Sequence, residues 1–337
     1  MKWERLTYTR AGKLIGLVVP LIVASSCSAR ARAFDPHDAR APLRLIRTID
    51  LPNVSGRIDH MALDSDATHL FIAENGNGTV DDVDLTTGKV VGRISGLHEP
   101  QGVAWLPRQH EIAVTSGDGF VTFYGGLDRH TVAVINLGAD ADNVRVDGRN
   151  GELVVGYGSG GLAVIDPVAH EVIRRLALPA HPEAFELVAG KVFVNVPDAH
   201  KIVIADLDHG RVTETMSTGF SFGNFSMATN STDSQVAIAY RKPSRVSVLN
   251  AHSGAPIFSR ATCGDADDLY FRSSQLVVVC GSGNVELIDI KDERPAVDVT
   301  TQRGARTGIL DAEKKHLFVA VPARQHSAAI WELSFAD

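Results

Sequence analysis

The chain has few of the residues that build metal centres or disulfide-rich scaffolds. Only three of its 337 residues are cysteine, and only 6% are aromatic. The cysteines form no C-x-x-C or C-x-x-C-H motif and the histidines form no H-E-x-x-H motif, which argues against structural zinc, covalent haem and a zinc-protease site. The glycine-rich segment 156–161 joins two predicted strands and no helix follows it, so a nucleotide-binding loop is not indicated.

Long apolar runs and excess positive charge are missing as well. The apolar run 14–24 has 11 residues and is too short to span a bilayer. Residues 1–33 contain six basic residues and one acidic residue, so their removal leaves 27 basic and 39 acidic residues, a net charge of −12. So acidic a chain argues against a nucleic-acid partner, which requires clustered Lys and Arg. We expect a monomer without a transmembrane segment.

The N-terminus has the order of a secretory signal peptide, which we assign to residues 1–33. A basic region precedes the apolar run, and small residues follow it. Two processing sites fit the sequence. One is an A-x-A cleavage site that ends at Ala33, before Phe34. The other is the segment 24–27, which resembles a bacterial lipobox with Ala24 where Leu is usual. The first gives a free periplasmic or secreted protein, which we favour. The second gives a lipid anchor on Cys27.

Export leaves two thiols, Cys263 and Cys280, in a compartment where disulfides persist. Pairing Arg272 with Gln275 across a two-residue turn places Cys280 opposite Asp267, and Cys263 then has to fold back to reach it. We therefore predict a disulfide between Cys263 and Cys280. Two unpaired buried cysteines remain the alternative, because Cys packs well as a small apolar residue.

A short pattern recurs along the chain at intervals of about 40 residues: a brief strand, an apolar strand, a third strand ending near Asp, a turn such as TTGK and a fourth strand. The apolar strands are its clearest copies, and they are HLFIAE (69–74), EIAVTS (111–116), ELVVGY (152–157), KVFVNV (191–196), QVAIAY (235–240), LVVVCG (276–281) and HLFVAV (316–321). Repeats of this length with four short strands are typical of β-propeller blades.

Seven copies predict an all-β, seven-bladed propeller over residues 43–337. The seventh copy has only three strands, whereas LRLIRTIDL (43–51) is an orphan strand ahead of the first. Placed beside residues 330–333, this N-terminal strand completes the last blade and removes the open edges of the array. Residues 34–42 are then a short mobile leader.

The repeat resembles the YVTN-type unit of the bacterial YncE-like propeller family. The segments that carry the likeness best are GYGSGGLAVIDP (156–167), HPEAFEL (181–187), RKPSRVSVLNAHSG (241–254) and CGDADDLYF (263–271). The resemblance extends over residues 43–334. It implies an exported protein with a binding or scaffold role and no established reaction.

Alignment of the predicted innermost strands brings one polar residue per blade to the central channel: His60, Gln101, Asn143, Glu183, Asn224, Asp268 and Thr307. Arg306 and three Asp residues occupy the position before. Residues at equivalent positions of a closed ring converge on its axis. We predict a ligand-binding ring, in which His60, Glu183 and Asp268 are candidate ligands of a divalent cation. Polar residues also line water-filled channels that bind nothing.

Three kinds of function fit this pattern. A binding or interaction protein would hold a small ligand or a protein partner at the channel mouth, and we favour it because a ring of acceptors explains binding without an unseen nucleophile. A metal-dependent hydrolase or lyase would use the same ring; it is similar in kind, though not in motif, to the gluconolactonase and regucalcin propellers. A structural envelope scaffold would use the channel neither for ligand binding nor for catalysis.

Overall fold

The computed structural model describes residues 32–126, 128–188, 190–230, 232, 234–292 and 294–336. Most of the predicted signal peptide (1–33), including the lipidation candidate Cys27, lies outside these residues. The described part forms 29 strands in seven sheets, each with four antiparallel strands and one with a fifth strand in parallel. The seven-bladed, all-β architecture predicted from the repeats is confirmed.

Two strands precede the first complete blade, and three blades follow them along the chain. The preceding strands are β1 (Arg32–Phe34) and β2 (Leu43–Asp50). Blade 1 contains β3 (Met61–Leu63), β4 (His69–Glu74), β5 (Thr79–Asp84) and β6 (Lys89–Ser95). Blade 2 contains β7 (Pro100–Leu106), β8 (Glu111–Ser116), β9 (Phe120–Gly125) and β10 (Thr131–Asn136). Blade 3 contains β11 (Ala141–Val146), β12 (Leu153–Tyr157), β13 (Gly161–Asp166) and β14 (Glu171–Ala177).

The other four blades follow the same order, and 3₁₀ turns occur at Asn75–Asn77 and Pro197–Ala199. Blade 4 contains β15 (Phe185–Val188), β16 (Lys191–Val196), β17 (Lys201–Asp206) and β18 (Arg211–Ser217). Blade 5 contains β19 (Phe222–Thr229), β20 (Gln235–Lys242), β21 (Ser244–Asn250) and β22 (Pro256–Ala261). Blade 6 contains β23 (Ala266–Arg272), β24 (Gln275–Cys280), β25 (Asn284–Asp289) and β26 (Val297–Thr300). Blade 7 contains β27 (Gly308–Asp311), β28 (His316–Val321) and β29 (Ala329–Phe335).

Each blade buries both faces of its sheet against its two neighbours. The second strands, such as β4 and β28, are buried along nearly their whole length, whereas the outer strand β14 alternates between exposed and covered positions. Seven apolar clusters occur in the described residues, one between each pair of adjacent blades. Burial on both faces accounts for the continuous apolar runs of the second strands, because a half-exposed strand would alternate.

Blade 7 takes its outer strand from the start of the chain. β2 pairs antiparallel with β29, with Thr48 opposite Trp331. Arg47 donates to Glu332 Oε2 at 2.6 Å and to the carbonyl of Leu85 in blade 1, also at 2.6 Å. β2 therefore joins the last blade to the first.

The residues before β2 lie against blade 6. β1 pairs in parallel with β26, so that Ala33 is opposite Asp298. Ala41 is only 1% exposed, and its amide donates to the carbonyl of Asp38. The predicted leader 34–42 thus includes the end of a paired strand and one buried small side chain.

Cys263 and Cys280 form a disulfide within blade 6, with a Cα–Cα distance of 6.0 Å, which confirms the predicted pairing. Arg272 and Gln275 face each other across the turn as expected. A one-residue bulge in β23 shifts the register beyond them, so that Cys280 is opposite Ala266 rather than Asp267. No described helix is both long and apolar enough to cross a membrane.

Candidate functional site

The pairing of each innermost strand with its neighbour defines which residues are equivalent among the blades. The fourth residue of each second strand, or the third in the shorter β12, pairs with a residue of the innermost strand. These partners are Met61, Val103, Val144, Phe185, Met227, Leu269 and Gly308. Two residues ahead of them is the first tier: Asp59, Gln101, Asp142, Glu183, Phe225, Asp267 and Arg306. One residue ahead is the second tier: His60, Gly102, Asn143, Ala184, Ser226, Asp268 and Thr307.

The observed register differs from the predicted one in blades 2, 4 and 5. Gln101 and Glu183 belong to the first tier and not with His60 and the other second-tier residues. Asn224 lies one position ahead of the first tier. Bulges at this height of β7 and β19 accompany the difference in blades 2 and 5, because a bulge inserts a residue and turns consecutive side chains toward the same side. The described pairing of β15 in blade 4 has no such bulge.

The two tiers surround a cavity of about 560 Å³ at one end of the central channel. Six of the eight predicted ring residues line it: His60, Gln101, Asn143, Glu183, Asp268 and Arg306. Its wall also contains Asp142 and Asp267, two of the Asp residues that the alignment placed one position before the ring. Four further lining residues were missed by the alignment, namely Arg57, His181, Ser226 and Arg241. Cavities of this size hold small molecules.

Asn224 and Thr307 do not line this cavity. The Asn224 amide nitrogen donates to Asn195 Oδ1 and to the carbonyl of Lys201, each at 3.0 Å, and its side chain is fully buried. The Thr307 hydroxyl donates to the carbonyl of Ile58 at 3.4 Å across the junction of blades 7 and 1. Both residues bridge structural elements.

Carboxylates and cations alternate on one side of the cavity, on blades 1, 5, 6 and 7. Arg57 Nη2 lies 2.9 Å from Asp59, and His60 Nδ1 lies 3.1 Å from the other oxygen of Asp59. Burial alone would lower the pKa of His60, but the hydrogen bond and charge of Asp59 outweigh it and raise the pKa to about 10. His60 is therefore a cation at neutral pH and a poor metal ligand.

Arg241 holds the acidic residues of blade 6. It contacts Asp267 directly, lies 3.4 Å from Asp265 and stacks on the ring of Phe225 with its guanidinium carbon 3.7 Å from the ring centre. Arg306 reaches the other oxygen of Asp265 at 3.0 Å. These contacts fix the rim of the cavity around the junction of blades 5, 6 and 7.

His181 forms a second charged group at the junction of blades 3 and 4. Its Nδ1 donates to the carbonyl of Gly158 at 2.6 Å, and its Nε2 lies 3.8 Å from Asp142 Oδ2. The interaction with Asp142 raises the pKa of His181 to about 9, against the opposing effect of burial. Burial on its own would raise the pKa of Asp142, but the nearby His181 and His60 hold the pKa of that carboxyl below its usual range.

Glu183 and Asp268 are the two lining carboxyls that have no cation within ion-pair distance in the described part of the chain. Burial raises the pKa of Glu183 to about 8, and the nearby Asp142 adds to the shift. Burial likewise raises the pKa of Asp268 to about 6; this carboxyl accepts a hydrogen bond from the amide of Gly308 at 2.8 Å. At neutral pH Glu183 is mostly an uncharged acid, whereas Asp268 is mostly ionised.

Several buried polar atoms of the lining residues have no hydrogen-bond partner among the described residues. The oxygen atoms among them are Asp142 Oδ1, Asn143 Oδ1 and Ser226 Oγ. Asn143 and Ser226 are each only 2% exposed. A buried polar atom without a partner costs about 1–3 kcal/mol, so rotation of these side chains toward a molecule in the cavity would offset part of that cost.

A second cavity, of about 360 Å³, adjoins the first and shares five lining residues with it: His60, Arg145, Glu186, Asp268 and Tyr270. The Tyr270 hydroxyl donates to the carbonyl of Gly308 at 2.7 Å, and Arg145 lies 3.7 Å from Glu186. The remaining wall is mainly apolar and includes Ala62, Ala104, Trp105, Val146 and Ile309. The channel is thus polar in the first cavity and more apolar in the second.

The described residues contain no group of three or more His, Cys, Asp or Glu side chains arranged to hold a metal ion. His60, Glu183 and Asp268 share the channel but not a common coordination point. The divalent-cation site considered for these three residues therefore has no support in their arrangement.

The segment GFSFG (219–223) has the spacing of the G-x-S-x-G motif, which places a nucleophilic serine on a sharp turn in hydrolases. That motif requires a strand before the serine and a helix after it. Here Ser221 lies between β18 and β19, so a strand follows. The neighbouring Phe220 is 94% exposed, and the segment is a surface loop rather than a nucleophile elbow.

No protein-family profile and no curated protein matches this chain. Among solved structures, it is similar to the one described as "Crystal structure of RRP9 WD40 repeats", with a TM-score of 0.76 and 9% sequence identity over 91% of this chain and 99% of that chain. At such low identity the likeness shows the fold alone, so membership of the YncE-like family stays a prediction. The chain is a seven-bladed β-propeller.

Proposed function

We propose that this protein is an exported binding protein that holds a small polar ligand in the first cavity of its channel. The observation that carries the proposal is the set of buried, unpartnered atoms of Asp142, Asn143 and Ser226 on blades 3 and 5. A ligand that bonds these atoms offsets the free energy that their burial without protein partners costs. A cavity of about 560 Å³ accommodates a molecule of metabolite size.

Export is the second part of the proposal. The basic, apolar and small-residue order of the N-terminus supports it, and so does the disulfide in blade 6, since such bonds persist in oxidising compartments. Cell fractionation tests this part. A protein found in the cytoplasm at full precursor mass would contradict it, and incorporation of labelled palmitate that depends on Cys27 would favour the lipid-anchored alternative.

The binding proposal is tested with a thermal-shift screen of small polar metabolites against the purified protein. A ligand at about 100 times its Kd stabilises the fold by about 2.7 kcal/mol, which such a screen detects. Asn143→Ala should reduce the shift caused by any ligand found. Asn224→Ala is the matched control, because its amide is buried outside the cavity and its variant should keep the shift.

Two results would contradict binding in the first cavity. One is a ligand whose shift is unchanged by Asn143→Ala. The other is the failure of every class of small molecule in the screen to stabilise the protein, which would leave the channel as a solvated element of a scaffold.

A further inference from the structure

Among the described residues, the first cavity offers no unpaired cation to an incoming anion. Six basic side chains line it: Arg57, His60, Arg145, His181, Arg241 and Arg306. Each lies within ion-pair distance of a carboxylate of the protein itself. An anionic ligand would have to break one of these pairs and leave a buried carboxylate behind, which is costly.

Negative and neutral acceptors, in contrast, are available on blades 3 and 4. Asp142 uses Oδ2 towards His181, while its buried Oδ1 has no partner. Asn143 presents an unpartnered amide oxygen at the next position. The carboxyl of Glu183, in the first tier of the adjacent blade, has neither a hydrogen bond nor an ion pair to its side chain among the contacts of the described residues, and it faces the same cavity.

From this juxtaposition, and resting on the proposed function, we propose that the ligand carries a protonated amine that binds between Glu183, Asp142 and Asn143. An ammonium group has three donors and no acceptor, which matches the acceptor oxygens of these three lining side chains. It also supplies the positive charge that Glu183 lacks. The uncharged part of the ligand would then extend past Tyr270 and Glu186 into the second cavity, whose wall is mainly apolar.

The electrostatics of Glu183 make this binding detectable as proton release. Its pKa is raised to about 8, mainly by burial and also by Asp142 and Asp267, while His181 and Arg241 act against the rise. In the free protein at pH 7 the carboxyl is therefore mostly protonated. A bound ammonium group favours the ionised carboxylate, so binding should expel about one proton from Glu183.

Isothermal titration calorimetry at pH 7 with hexylamine, 1-hexanol and hexanoate tests the proposal, because the three probes share a chain and differ in head group. We expect saturable binding of hexylamine, at least about tenfold tighter than either of the others, a difference of about 1.4 kcal/mol. Repeating the titration in buffers of different ionisation enthalpy should reveal the released proton. Glu183→Gln should weaken hexylamine binding about tenfold or more and abolish the proton release.

Glu214→Gln is the matched control, because Glu214 is exposed on the outer strand β18. This variant should bind hexylamine with proton release, like the wild type. Hexanoate binding more tightly than hexylamine, or hexylamine binding unchanged by Glu183→Gln, would overturn the assignment of an amine. That failure is distinct from failure of the proposed function, which stands if another small molecule binds in a manner that depends on Asn143.

Discussion

At the scale of single residues, a buried pair of acids in blade 1 shows how strongly the fold can shift the pKa of a side chain. Glu74 and Asp81 are both fully buried on the paired strands β4 and β5. Arg93 binds both oxygens of Asp81, at 2.5 and 2.6 Å, and the Thr79 hydroxyl donates to Glu74. Burial raises the pKa of Glu74 to about 8; the bond from Thr79 opposes the rise and the charge of Asp81 adds to it.

The raised pKa of Glu74 predicts a loss of stability as the pH rises. Between its ordinary pKa and about 8 the folded protein keeps a proton that the unfolded chain has released, so the free energy of unfolding falls with pH in this window. Glu74→Gln removes this proton linkage. Urea unfolding at about pH 5 and about pH 9 should show the variant gaining stability relative to the wild type at the higher pH. An unchanged difference at the two values would contradict the prediction.

Two neighbouring residues of β19 should respond in opposite ways to loss of their polar groups. Asn224→Ala removes two buried hydrogen bonds and leaves Asn195 Oδ1 unpaired, so it should lower the free energy of unfolding by about 1–3 kcal/mol. Ser226→Ala removes a buried hydroxyl that has no partner and should leave the stability unchanged or raise it. Chemical denaturation of both variants measures this. Equal destabilisation would mean that Ser226 is also a structural bridge.

The candidate site shows which of its residues could be predicted from the sequence and which could not. The repeats placed His60, Asn143 and Asp268 correctly at the channel, because apolar second strands mark each blade. They could not place Ser226, since the bulge in β19 changes the register by an amount that only backbone pairing reveals. Arg241 was missed for a different reason: it lies on a second strand, β20, and reaches the cavity from outside the innermost position.

At the scale of strands, the second strand of each blade was the most predictable element. The segment predicted at 69–74 is β4 (His69–Glu74), and that at 316–321 is β28 (His316–Val321). Their continuous apolar runs are dictated by burial on both faces. Some innermost strands are short, such as β3 and β15, and others contain a bulge, such as β7 and β19. Their bounds therefore follow from contacts between blades rather than from their own composition.

The strand β2 should be indispensable for cooperative unfolding. A chain that lacks residues 43–51 loses the outer strand of blade 7, the pair Arg47–Glu332 and the apolar contacts of Ile49 and Leu51. We expect aggregation or a broad, non-cooperative melt, because an apolar sheet edge is exposed. A chain that starts at Leu43 is the control and should melt in one transition. Similar calorimetric traces for the two would contradict the role of β2.

The disulfide should stabilise blade 6 through the loop that it closes. Its two cysteines are 17 residues apart in sequence, and a loop of this size is worth about 3 kcal/mol when it is cross-linked. The double variant Cys263→Ala, Cys280→Ala should lose about that amount in denaturant unfolding while keeping its strand content. Two thiols that alkylate in the non-reduced protein would show that the bond does not form.

At the scale of the molecule, the two ends of the propeller meet. The amide of Ala336 donates to the carbonyl of Pro42 at 2.9 Å, beside the pair of β2 and β29. A circular permutant that links the C-terminus to residue 42 and opens the exposed turn at Val168 should therefore fold. Its blade 3 would then be closed by β14 in the way that β2 closes blade 7. Calorimetry should show one transition within a few degrees of the wild type; an unfolded permutant would contradict the equivalence of the blades.

The pairing of β2 with β29 also determines when the molecule can become native during its synthesis. Arg47 and Glu332 are 285 residues apart in sequence, so β2 emerges early from the ribosome and its partner among the last strands. Blades 1 to 6 can assemble meanwhile, but β2 has to wait, unpaired, for the end of the chain. A prematurely terminated product therefore never hides this strand, and proteases that recognise extended segments can distinguish it from the finished protein.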